Sequence, residues 1–508
     1  MATDQTPAER SAYDQIVDYS EQIIDLEKVD QLMRWDSDVE MPPDGTPARA
    51  SQRSTVSRRR EELMGSQQLG DALDRVDRDD LDDGEAANVR EIRRWYDISS
   101  SVPADLRDEL ASTTSEAHEA WKEAKEADDF DRFAPLLEKH IELRRKWAEH
   151  VDPDSDPYEV LWKNKLGYES QPYIDMDTVE EVFDDLRETL VPLIEDIRAS
   201  NADVTTDAFS GTYDPDTQMA LNEALLDTVG IDWRRANFGV ATHPFSYGTQ
   251  HDVRLTTRFN EDNPFDAMAS TLHEFGHTLY SHGLPKEHYG TPLGESRGLT
   301  IHGSQSGFWE NHVGHCYEFW EHFLPTMKEH FPELEDVTVD EAYQTINQVY
   351  DNNLRRTDAD EVTYHMHVIL RTEIERDLVR GNIEVEEVPQ VWNEKMEEYL
   401  GITPDTNAEG CLQDPHWTKN IPGFINYTLG HGVLAAQVWN AAGRELPLRD
   451  HIRTGNFDPI HEWLRENIHQ HGQRYKSQEL IRRATGEELT SEYFLDYITE
   501  KYESLYDL

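Results

Sequence analysis

Apolar residues recur at three- and four-residue steps along most of the chain, the period of helices that bury one face. In AYDQIVDYSEQIIDLEKVDQLMRW, residues 12–35, that step is carried by Ile16, Ile23, Leu26, Val29 and Leu32. FAPLLEKHIELRRKWAEHV (133–151) and EVFDDLRETLVPLIEDIRA (181–199) repeat it. VTYHMHVILRTEIERDL (362–378) predicts a buried helix in which His365 and His367 are structural. Strand-like alternation is confined to FGVATHPFSYG and HDVRLTTRF, within 238–259, which predict a small hairpin. Stretches 75–86 and 200–217 read as loops, and neither is long enough to mark a domain boundary. The pattern predicts one mainly α domain over residues 1–508, with two lobes and a small β-hairpin or sheet in its middle.

Directly after the hairpin comes a well-punctuated helix. Asn263 is placed to cap it, and Pro264 takes its first position, where a missing N–H costs nothing. Phe265, Met268, Leu272, Phe275 and Leu279 form its apolar stripe, Gly283 is the expected stop, and Pro285 follows. HEFGH sits in the middle of this helix. His273 and His277 stand four apart, on one face and about 5–6 Å from each other. Two neutral imidazoles make half of a zinc site, and Glu274 between them is the natural general base for a water molecule attacking a carbonyl. The same spacing also occurs on solvated helices, so the surroundings decide its meaning. Asp252, Glu310 and main-chain carbonyls are candidates to fix the imidazole tautomers.

Charge narrows the class of partner. Among 508 residues, 103 are acidic and 48 are Lys or Arg, a net of −55. That balance argues against nucleic acid and against an anionic membrane surface, both of which recruit basic patches. The acidity is spread along the chain and arginine outnumbers lysine, which suits a protein adapted to high salt, where charge repulsion is screened within about 3 Å at 1 M. The only two cysteines, Cys316 and Cys411, suit a reducing cytoplasm and exclude a disulfide scaffold. The polar start carries no signal-peptide pattern. No apolar run approaches the roughly 20 residues of a spanning helix.

Several separated motifs, in order, resemble the carboxypeptidase Taq family of metallocarboxypeptidases. They are WDSDVEMPPDGTPAR (35–49), HPF (243–245), DVRLTT (252–257), HEFGH (273–277), HGSQSGFWEN (302–311), RTDADEVTY (356–364) and GCLQDPHW (410–417). The resemblance spans nearly the whole chain. It implies a saddle-like helical domain with a deep substrate groove, usually a homodimer. It also implies removal of C-terminal residues from peptides with broad preference, using Zn2+ or Co2+ held by His273 and His277, with Glu274 as base. A free C-terminal carboxylate is best gripped by a bidentate arginine. Arg356 is the candidate for that task and Arg254 for shaping the groove, while His243, His416 and Tyr427 are candidates for contacts with substrate or oxyanion.

One departure matters most. In the family the third metal ligand is the glutamate of a His-Glu-Ser-Gln stretch, whereas the matching residue here is Gly303. Gly307 and Phe424 also replace an arginine and a tyrosine common in the family. Three readings follow from Gly303. Another carboxylate, such as Glu295 or Glu310, fills the site; two histidines hold metal weakly and activity is impaired; or the chain is an inactive peptide-binding or structural homodimer on the same scaffold.

Overall fold

The Ser11 hydroxyl accepts from the Asp14 amide at 3.0 Å while the Asp14 carboxylate accepts from the Ser11 amide at 3.2 Å, and this capping box opens the first helix, Ala12–Val39. Ile16, Ile23, Ile24 and Trp35 are buried, but Val29 and Leu32 are each 45% exposed. The expected stripe fails there for a geometric reason. Each step of three residues turns back by about 60°, so three successive steps from Ile23 place Leu32 on the opposite face.

The computed structural model describes residues 11–165, 171–350 and 353–508. The chain divides into two compact units, each assembled from three separated segments. The first unit takes the chain up to Ser100, Phe209–Val339 and Ala441–Glu488; the second takes Ser101–Ala208, Asp340–Asn440 and Leu489–Leu508. No described helix is long and apolar enough to cross a membrane.

In the second unit the helix Tyr364–Arg380 is central, and every residue from His365 to Glu375 is buried. Its buried charges are matched rather than avoided. Arg371 donates to Asp414 at 2.8 Å, and Glu373 accepts from Arg187 at 2.6 Å, Lys395 at 2.5 Å and Tyr399 at 2.7 Å. His365 and His367 are structural, as expected: His365 meets the Thr428 hydroxyl at 3.1 Å and His367 the Asn353 carbonyl at 3.0 Å.

In the first unit a three-stranded sheet leads into the histidine helix. Strands β1 (Ala236–Val240), β2 (Ser246–Gly248) and β3 (Val253–Thr257) lie in the order β1-β3-β2. β2 and β3 are the expected antiparallel hairpin, with Tyr247 opposite Arg254, and β1 adds a parallel pairing to β3. The Thr257 hydroxyl on β3 donates to the Ala267 carbonyl at 3.0 Å and ties the sheet to the histidine helix, Pro264–Gly283. The Asn263 side chain caps that helix by accepting from the Phe265 amide at 3.0 Å.

The next helix, Leu299–Gly307, packs against the histidine helix at Gly276. A Cβ at Gly276 would stand 2.3 Å from the Gln305 carbonyl oxygen and 2.8 Å from the Ser306 Cα, so the absence of a side chain permits this contact. The start of the Leu299 helix is fixed by Arg297, whose guanidinium is bidentate to Glu91 at 2.9 and 3.1 Å with both side chains essentially fully buried. Burial alone would raise the Glu91 carboxyl, but Arg297, with Arg94 and Arg90 behind it, outweighs this and holds it down to about 2.

Because the folded value lies below the usual 4.5, ionised Glu91 stabilises the fold fully above about pH 4.5, and that contribution is lost as pH falls toward about 2. Replacing Glu91 with Gln leaves Arg297 buried without its counter-charge. The variant is expected to lose about 3–5 kcal/mol of stability near neutral pH. Denaturant unfolding in high salt at several pH values measures this, with the deficit shrinking below about pH 4.5.

Candidate metal centre

Both helices contribute to one constellation. The Nε2 atoms of His273 and His277 converge to 3.2 Å. Tetrahedral ligation at Zn–N of about 2.0–2.1 Å sets two ligand nitrogens about 3.3 Å apart, so the pair already has the separation a metal requires. Each ring is oriented from its other nitrogen. His273 Nδ1 meets Glu310 Oε2 at 2.6 Å, and His277 Nδ1 meets the His302 carbonyl oxygen at 3.1 Å. These outer partners leave both Nε2 atoms as the donors offered to an ion.

Electrostatics favour positive charge on the His273 ring. Burial opposes charge on His273, but Glu310 and then Glu274 overcome it and push the imidazole up to about 9. Burial, aided by His273, drives His302 down to about 3, so its ring is neutral. Glu274 is only 5% exposed, and burial raises its carboxyl although His273 and a hydrogen bond from Ser246 pull the other way. Its Oε2 has no hydrogen-bond partner among the described residues. A buried carboxylate oxygen left without a donor beside two converging imidazoles suits a reaction in which water supplies the missing proton.

The other predicted residues are placed as follows. Gly303 lies half-buried on the Leu299–Gly307 helix and brings no donor side chain. Glu295 is engaged elsewhere, accepting from Lys28 at 2.8 Å. Glu310 acts on the outer nitrogen of His273. Among the described residues the Asp252 carboxylate orients no ring and pairs with Arg254 at 3.1 Å, and the Arg254 guanidinium lies 4.4 Å from the Trp35 ring. His243 is exposed between β1 and β2.

Arg356, His416 and Tyr427 are brought together in the second unit. Arg356 is bidentate to Asp414 at 3.0 and 3.2 Å, and its third nitrogen stands 3.5 Å from the Tyr364 hydroxyl. His416 stands 3.5 Å from Asp414 and 3.5 Å from the Tyr427 hydroxyl, against the Phe424 ring at 4.5 Å. Burial would raise Asp414, but Arg371 and Arg356 hold it well below the usual carboxylate range. Burial chiefly lowers His416. The carboxylate-gripping fork expected of Arg356 is thus already engaged by an internal carboxylate.

Sequence reasoning missed two contacts at the centre, the hydrogen bond from Ser246 to Glu274 and the packing of the His302 ring on His277. Neither has a local signature, because each joins separate elements.

A histidine helix with converged Nε2 atoms, a buried glutamate and outer partners on both rings defines a metallopeptidase of the HExxH type. A family model for carboxypeptidase Taq (M32) metallopeptidase matches residues 15–502. Thermostable carboxypeptidase 1 of Thermus thermophilus is 36% identical over 510 residues, covering 98% of this chain and 99% of that protein. Carboxypeptidase 1 of Bacillus subtilis is 33% identical over 481 residues, covering 94% of this chain and 95% of that one. Among solved structures, the M32 carboxypeptidase of Deinococcus radiodurans matches with a TM-score of 0.93 at 34% identity, covering 98% of this chain and 100% of that one. The Pyrococcus furiosus carboxypeptidase in an apo-magnesium form matches with a TM-score of 0.92 at 33% identity, over 97% and 99% of the two chains. The chain belongs to the carboxypeptidase Taq (M32) family and is a metallocarboxypeptidase, a hydrolase that works with a divalent metal.

Replacing Glu310 with Gln removes the charge from the partner of His273 while keeping its shape. Metal affinity is expected to fall by about 10–100-fold, the usual effect of losing such a partner. A chelator-competition titration measures it.

Proposed function

We propose that the protein removes C-terminal residues from peptides with broad preference, using zinc or cobalt held by His273 and His277, at a centre weakened by Gly303. The observation that supports this most directly is the 3.2 Å convergence of the two Nε2 atoms beside the unpartnered Oε2 of Glu274. Such preparation favours a working centre over a scaffold that only binds peptides, which has no use for a buried, half-satisfied carboxylate.

A divalent ion supplies Lewis acidity toward the scissile carbonyl and toward water. Glu274 accepts the proton of the attacking water at Oε2. The water oxygen bonds to the carbonyl carbon, the C–N bond breaks, and Glu274 returns the proton to the departing amine. Its raised carboxyl suits both halves of that transfer. His277 and His273 keep their donor atoms in place through the His302 carbonyl and Glu310. In this reading the Arg356 cluster recognises the substrate carboxylate, with Arg356 Nη1, which Asp414 does not engage and which stands 3.5 Å from the Tyr364 hydroxyl, turning from that hydroxyl to the substrate.

Gly303 sets the strength of the centre. A lost carboxylate ligand removes one negative charge and one bond, so the ion is held less tightly. Gly303→Glu is expected to raise zinc or cobalt affinity and peptide hydrolysis by at least about tenfold. Glu274→Gln is expected to abolish release of amino acids from a model peptide while leaving metal content unchanged. Both are measured in high salt, with metal content by elemental analysis. A wild-type protein that retains no zinc or cobalt after reconstitution would count against catalysis and for the inactive scaffold.

A further inference from the structure

The ring of His302 lies flat against the ring of His277, with centroids 4.1 Å apart and planes 4° from parallel. The same residue presents its carbonyl oxygen to His277 Nδ1 at 3.1 Å. One residue therefore acts on the metal ligand twice: the carbonyl selects the tautomer, and the ring restrains the plane. The second restraint is needed because the torsion that swings an imidazole about its Cβ–Cγ bond is broad, with no sharp staggered wells. A single hydrogen bond at Nδ1 leaves that swing partly open, whereas a parallel ring at van der Waals distance closes it.

His302 is itself braced. Tyr280 packs beside it with centroids 5.8 Å apart, and His469 packs on Tyr280 at 5.0 Å. The Tyr280 hydroxyl accepts from the Arg297 amide at 3.0 Å, and His469 Nε2 bonds Gln305 Oε1 at 2.8 Å. His302, Arg297 and Gln305 all belong to the Leu299–Gly307 helix or its approach, so the column of rings fixes that helix against the histidine helix.

We infer that His302 is a positioning residue whose side chain, as distinct from its carbonyl, holds His277 in the orientation that binds metal. The inference rests on the metal-dependent reading above. It carries particular weight in this chain, because position 303 contributes no side chain and the placement of two imidazoles bears more of the affinity.

The test uses the full chain, freed of metal and titrated with Co2+ in high salt, read by chelator competition and by the visible absorption of bound cobalt. His302→Ala removes the ring, His302→Leu replaces it with a non-planar group of similar bulk, and His302→Phe restores a flat ring. All three keep the main-chain carbonyl. The Ala and Leu variants are expected to bind Co2+ at least about tenfold more weakly with an altered visible band, and the Phe variant to recover to within about threefold of wild type. Thermal unfolding of each metal-free variant separates this effect from general loss of fold. Wild-type affinity and an unchanged spectrum in the Ala and Leu variants would overturn the inference while leaving the proposed function standing, as would a Phe variant no better than Leu. A wild-type chain that binds no Co2+ at all would overturn both.

Discussion

The contact of two helix backbones at Gly276 underlies the rest of the centre. Helices normally keep 8–10 Å between axes because side chains hold them apart. At Gly276 nothing does, and the Leu299–Gly307 helix comes close enough that any β-carbon there would overlap the Gln305 carbonyl. Through that approach the His302 carbonyl reaches His277, the His302 ring stacks on it, and Glu310, a few residues further on, meets His273. The buried Glu91–Arg297 pair holds the entry to the same helix. The outer partners of both imidazoles therefore come from a single segment.

Charge is handled differently at the centre and over the rest of the chain. The net of −55 is borne by a surface that high salt can screen. Inside, buried carboxylates meet different surroundings. Glu91 and Asp414 are held ionised by arginines, while burial raises the Glu274 carboxyl and its Oε2 has no hydrogen-bond partner among the described residues.

The histidine helix was legible from end to end. Asn263 caps it, Pro264 opens it, Gly283 is its last residue, and the HEFGH spacing fixes which atoms share a face. The first helix was also legible in extent, but its buried face was not, because a run of three-residue steps drifts around the cylinder and strands Val29 and Leu32 in solvent. The hairpin of β2 and β3 could be read from alternation, whereas the parallel pairing of β1 could not, since a parallel partner is set by a crossover and leaves no turn signature. Glu310 was one of several candidates as an outer partner. The widened π-helical segment Phe308–Gly314 that carries it breaks the phase a regular helix would predict.

By itself the sequence determined the helical class, the pair of imidazoles with a glutamate between them, and the absence of a side chain at position 303, because these depend on local period and residue type. Only the tertiary structure decided that Glu310 and the His302 carbonyl orient the two imidazoles, that Glu295 belongs to Lys28, and that the fork of Arg356 is taken by Asp414. Those assignments depend on which distant side chains come within about 3 Å of each other. That is settled by how helices pack and by which buried charges must find a partner, and no window of sequence contains it.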